Sequence, residues 1–180
     1  MDLFEYSGAL YLEESAALET DIFIADNEDV LTFPTLPDLS AGVKNSDYVD
    51  LAAATFTMKT GAKFHKFSAT LERNAFESTL EGSRGAKSFV NMLTITKSGA
   101  DKDLVGFLRA NRNRRLIVAF KNLGASQYCV IGFKGLPAEI ESGGVTVSAE
   151  VTGDKSTTFV VRSIFYPPLY IDEIPLTEAV

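Results

Sequence analysis

Phe76-Glu77-Ser78-Thr79-Leu80-Glu81, then Gly82-Ser83-Arg84-Gly85, then Phe89-Val90-Asn91-Met92-Leu93-Thr94-Ile95-Thr96 decide the fold. In the first run Phe76, Ser78 and Leu80 alternate with Glu77, Thr79 and Glu81. In the third, Phe89, Leu93 and Ile95 share a face with Asn91 beside them. Successive side chains of an extended chain point to opposite faces, so period two reads as strands with one packed face and one wet face. The glycine-rich stretch between them reads as a turn.

The same pattern spreads outward. Towards the N-terminus, Thr55 to Thr60 alternates before a Gly61-Ala62 turn, and Phe67, Ala69 and Leu71 recur at period two. Ile22-Phe23-Ile24-Ala25 reads as a short buried strand closed by Asp26-Asn27-Glu28-Asp29. Before it, Ser15 to Glu19 fits a helical turn and Tyr6 to Leu12 fits extended chain. Towards the C-terminus, Leu116-Ile117-Val118-Ala119-Phe120 is a continuous apolar strand. Asn122 to Ser126 turns the chain, and Tyr128 to Phe133 returns as the hairpin partner. A Gly-Pro-containing bend precedes Ile140, and Ser142-Gly143-Gly144 reads as another turn. Val145 to Val151 alternates, and Gly153 to Ser156 leads into the strand Thr157 to Val161.

One helix interrupts the strands. Ser98-Gly99-Ala100-Asp101 has capping-box spacing, with Asp101 and Asp103 at the positive helix end. Leu104, Phe107, Leu108 and Ala110 form an apolar stripe, and Asn111 to Arg115 ends it, which predicts a helix over about 101–113. Two proline-marked stretches are too apolar for ordinary loops. The first, about 31–47, carries Phe33, Leu36, Leu39 and Val43. The second, about 164–180, carries Tyr166, Leu169, Tyr170 and Ile171. The expected architecture is one mostly β domain over 1–180, an antiparallel sandwich or barrel with a flanking helix, a long loop and a C-terminal arm.

Composition bounds the chemistry. The chain has 180 residues, 46% hydrophobic, enough for a single core without metal or disulfide. A net charge of −7 argues against gripping nucleic acid, which needs a basic face. The N-terminus lacks the basic and apolar regions of a signal peptide, and no apolar run approaches the ~18 residues of a membrane span. A soluble protein without a membrane partner is therefore expected. The single cysteine, Cys129, lies in the apolar run Tyr128 to Ile131 and reads as a small core hydrophobe, which fits a reducing compartment.

Catalytic inventories are thin. The only histidine, His65, lies between Lys63 and Lys66 and reads as a solvent-facing strand residue. Asp26-Asn27-Glu28-Asp29 lacks calcium-loop spacing, and neither Gly82-Ser83-Arg84-Gly85 nor Gly132-Phe133-Lys134-Gly135 has the phosphate-loop pattern. No enzyme activity, cofactor or metal is expected. What remains are candidate contact surfaces. Arg109, Arg112, Arg114 and Arg115 read as a solvated helix end or as a subunit contact facing acids such as Glu13, Glu14, Glu19 or Asp21 of a neighbour, with nucleic-acid contact by this patch alone a poor third. The arms carrying Phe33, Leu36, Leu39, Tyr166, Leu169, Tyr170 and Ile171 either wrap over their own sheet edges or dock on adjacent subunits.

From Leu80 to Val161 the order of elements resembles the tail-tube (major tail) proteins of long-tailed phages, which also resemble the tubes of contractile injection systems and type VI secretion. The order runs from the strand ending at Leu80-Glu81-Gly82, through the Arg84-Gly85-Ala86-Lys87-Ser88 loop, to the strand with Asn91. The helix around Leu104-Val105-Gly106-Phe107-Leu108, the Leu116 to Phe120 strand, Tyr128 to Leu136 and a closing hairpin from Val145 to Val161 follow. That resemblance implies two packed antiparallel sheets and hexameric rings stacked into a hollow tube. It further implies partnership with other tail proteins, passage of DNA without specific binding, and assembly in a host cytoplasm into a virion. Other virion modules, a capsid-decorating or carbohydrate-binding sandwich with Tyr166 and Tyr170 in a groove, are the alternative. A hydrolase using His65 is a third reading.

Overall fold

A computed structural model describes residues 17–38, 40, 44–51, 55–150 and 153–179. The fold is mostly β, built of antiparallel sheets. Strands β1 (Asp21–Asp26), β4 (His65–Ser68), β7 (Leu116–Phe120), β8 (Tyr128–Ile131) and β11 (Leu169–Ile171) make a five-stranded sheet in the order β11-β8-β7-β1-β4. Strands β5 (Ala75–Glu81), β6 (Ser88–Ser98), β9 (Glu139–Val147) and β10 (Lys155–Phe165) make a four-stranded sheet in the order β5-β6-β10-β9. A short pair, β2 (Val30–Thr32) with β3 (Thr57–Met58), completes the strands among the described residues.

The two large sheets pack face to face. Ile22, Ile24, Leu116, Val118, Phe120, Cys129 and Ile131 meet Leu93, Ile95, Phe159 and Val161 across the layer. The alternation of β6 explains its share: Leu93 and Ile95 are fully buried while Met92 between the strands' inner residues faces out. The helix α1 (Lys102–Asn111) closes one side of this core, with Phe107 against Phe67 at 5.3 Å and Phe159 at 5.6 Å. It begins one residue later and ends two residues earlier than its sequence predicts. Its cap is Asp101, whose carboxylate accepts from the Asp103 and Leu104 amides, while Ser98 is the last residue of β6. The capping-box spacing at Ser98 is therefore coincidental: Ser98 N–H is already held by the Thr70 hydroxyl.

The five-stranded sheet is covered on both faces, which is why β7 is buried at every position. Its second face (Phe23, Ala25, Ile117, Ala119, Val130, Leu169 and Ile171) lies under Val30, Leu51, Phe56, Met58, Phe64, Phe133 and Ile174. The proline-marked stretches supply much of this cover.

Three strand readings need correction. Ser142-Gly143-Gly144 is not a turn but the middle of β9, paired with Val160 to Thr158 of β10. A Cβ on Gly143 would come to 3.0 Å from the Phe159 Cβ and 3.4 Å from the Leu108 Cδ2, so glycine here makes room for the helix over the sheet. The period-two run through Leu71 stops at Ser68. The chain turns at Leu71-Glu72, where Glu72 has φ +60°, and Leu71 is exposed. The strand expected over 55–60 shrinks to Thr57–Met58, because Lys59 N–H bonds to Asp29 and Thr60 bridges instead to Ala179.

A buried polar side chain links the four-stranded sheet to the C-terminal arm. Asn91, 1% exposed, accepts from the Ser78 hydroxyl (2.7 Å) and donates to the Ser163 hydroxyl (3.1 Å) and the Tyr166 carbonyl (2.9 Å). It ties β5, β6, β10 and the root of the C-terminal arm together. Replacing Asn91 with Ala strands the Tyr166 carbonyl and the Ser163 hydroxyl, an expected loss of about 2 kcal/mol in urea unfolding. Amide exchange at Leu169–Ile171 should accelerate beyond the global change; unchanged protection there would refute the tethering role.

Candidate assembly surfaces

The arms fold back on their own chain. Phe33 packs edge-on against Phe133 (5.3 Å) and Phe56 (6.0 Å), and Leu36 is half-buried in the same cluster. Leu169 and Ile171 are buried in the second core, and Tyr166 packs against Phe133 at 5.7 Å. β11 adds to the edge of β8, placing Tyr170 opposite Cys129, and Val49 and Leu51 bond to the Tyr170 backbone. Burial raises the Tyr170 phenol above its ordinary pKa. Extended segments do add to a sheet edge, as expected of them, but to an edge of the same chain. Leu39, Val43, Glu13 and Glu14 lie outside the described residues.

The arginine patch is exposed and partly answered from within. Arg109 lies in the last turn of α1, Arg112 is its C-cap, and Arg114 reaches Asp26 at 3.4 Å. Arg114 and Arg115 line a shallow cleft of about 550 Å³ with Asp26, Glu28 and Asp29. Of the acids suggested for a neighbour, Asp21 pairs with Lys66 of its own chain. His65 lies exposed on β4 opposite Ile24. Cys129 is buried, and desolvation pushes its thiol up to about 12, so it stays protonated and inert at neutral pH. Among the described residues no group of three or more His, Cys, Asp or Glu side chains is placed to hold a metal, and no helix is long and apolar enough to cross a membrane.

Sequence reasoning missed the most exposed surface. Among the described residues, nothing pairs with the outer edge of β5 or of β9, and both strands are exposed over nearly their whole length. The seven residues of β5 and the nine of β9 each present a free row of backbone donors and acceptors. Alternation places Glu77, Thr79 and Glu81 of β5 on the outer face, level with Met92, Arg162, Ile164 and Glu139 of the other strands. The Glu77-Thr79-Glu81 spacing marks that wet face in the sequence, but edge status depends on which strands pair and leaves no local signal.

A second exposed feature is an apolar groove of about 520 Å³ at one end of the four-stranded sheet. Leu36, Pro37, Tyr48, Phe89, Phe165 and Tyr166 form most of its wall. Phe165 is 54% exposed and held at φ +84°, a left-handed conformation that costs a bulky residue about 1–2 kcal/mol. Tyr170, by contrast, is turned into the core. No protein-family model, curated protein or solved structure matches this chain.

Proposed function

We propose that the chain is a structural subunit that joins copies of itself edge to edge into closed rings, which stack into a hollow tube. The observation that carries this reading is the pair of free edges on the four-stranded sheet. β5 runs antiparallel to β6, β6 to β10 and β10 to β9, so β5 and β9 run in opposite directions. When β9 of one copy meets β5 of the next, the junction is again antiparallel, and the sheet continues with its alternation unbroken. The contact uses two different edges, so it is head-to-tail, and head-to-tail contacts that close by rotation give rings. Closure removes both edges, which otherwise invite aggregation.

The resemblance to phage tail-tube proteins fits this arrangement. In that setting the outer face of the four-stranded sheet lines the lumen. Its glutamates, in a chain of net charge −7, let DNA pass without holding it. Other tail proteins are the further partners, and the virion is the location. Nothing in this role calls for a catalytic step or cofactor. Negative-stain microscopy of the purified chain tests the proposal: rings or tubes of uniform width support it, and a monomer at high concentration under all salt conditions opposes it.

The groove at Phe165 and Tyr166 favours a second reading, a binding module within a virion. That reading predicts a small discrete oligomer and loss of ligand binding in Tyr166→Ala.

A further inference from the structure

The two free edges carry the same charge. On the outer face, Glu77 lies opposite Met92, Met92 opposite Arg162, and Arg162 opposite Glu139, so the four residues form one row straight across the sheet. The row begins and ends on a glutamate. Head-to-tail closure without stagger therefore sets Glu139 of one copy beside Glu77 of the next, and a stagger of four residues sets it beside Glu81. Glu141, drawn to the outer face by its contact with Arg162 (3.7 Å), adds a further carboxylate to the β9 side. Among the described residues of the four strands, Arg162 is the one cation on this face; it sits on β10, one strand in from the β9 edge, where it offsets part of the Glu139 and Glu141 charge and leaves the β5 edge unanswered.

We propose that the β9–β5 seam is electrostatically gated: acid against acid holds free subunits apart until the charge is screened or removed. This rests on the ring reading above. The backbone ladder supplies the attraction and is insensitive to salt. Like charges opposite one another across strands oppose it. These side chains are exposed, so their repulsion is strong at low ionic strength and fades as the screening length falls from about 10 Å at 0.1 M salt to about 3 Å at 1 M, below the spacing of opposed side chains. Charged edges are also how soluble sheets avoid uncontrolled pairing. The gate thus keeps a pool of subunits soluble yet competent to assemble.

Sedimentation velocity on the full chain at low and high sodium chloride tests this, alongside the double variant Glu77→Gln/Glu139→Gln and a control, Glu28→Gln/Glu173→Gln, that removes equal charge away from the edges. Wild type and control should remain subunits at low salt and assemble at high salt. The edge variant should assemble at low salt, with association at each seam strengthened about fivefold. Assembly that ignores salt, or an edge variant that behaves like the control, overturns the gate and leaves the ring reading standing. A chain that stays monomeric in every arm overturns both.

Discussion

Replacing Gly132 with Ala is expected to cost about 4 kcal/mol, a quarter or more of the stability of an ordinary domain. Gly132 follows β8 with φ +85°, a conformation open to glycine at no steric cost. A Cβ there would lie 2.6 Å from the Leu116 carbonyl oxygen and 2.7 Å from the Ala138 nitrogen. Those two atoms bond to each other at 2.8 Å, and Leu116 N–H returns a bond to the Ala138 carbonyl at 2.7 Å. Both partners are backbone and both residues are buried, so neither can swing aside. The methyl must prise apart the reciprocal pair that pins the 132–138 segment to the start of β7. Gly135, three residues on, has a similar φ of +80° but open space around it. Gly135→Ala should therefore lose only about 1 kcal/mol. Urea unfolding of the two variants separates conformational strain from close approach; equal losses would show that the close approach has no energetic weight.

The second large effect concerns assembly. In an edge strand of an antiparallel sheet, successive residues direct their backbone N–H and C=O alternately to the paired neighbour and to the open side. Thr79 and Leu80, opposite Val90 and Phe89, are two such successive positions on β5. Proline removes the N–H and cannot join a ladder from the side it faces. Of Thr79→Pro and Leu80→Pro, the one whose N–H faces β6 should destabilise the fold. The other should leave thermal unfolding nearly unchanged and weaken self-association about a hundredfold at each seam. If the variant that keeps its fold also assembles normally, β5 is not an assembly edge.

The sequence made the strands with one wet face easy to recognise. The alternation at 76–81 and 89–96 is local, and each run answers to a single core. The continuous apolar runs Ile22 to Ala25 and Leu116 to Phe120 carried a further message: both faces of their strands need cover. The apolar arms supply much of that cover: Phe33, Leu36 and Ile174 pack on the face opposite the sandwich, while Leu169 and Ile171 widen that face as β11. Neither half of that match shows without the other, since the partners lie far apart in the chain. Gly143 was misread for a related reason. A glycine pair ordinarily marks a turn, and here Leu108 and Phe159, brought in by the helix and β10, take up the space of the missing side chain. Edges are the least legible feature, because a free backbone row is defined by strands that are not there to pair with it.

Placing cysteine at position 139 of β9 and, in separate variants, at 77, 79 or 81 of β5 tests the central claim most directly. The native Cys129 is buried with its thiol protonated and stays out of the reaction. Directly opposed strand positions bring Cβ atoms to about 5 Å, within reach of a disulfide. Under oxidation at high salt, one of the three pairings should give a covalent ladder on a denaturing gel that ends at a fixed number of subunits, the size of the ring. The absence of cross-links in all three pairings, while 139-only and β5-only controls show the thiols to be reactive, would contradict edge-to-edge assembly.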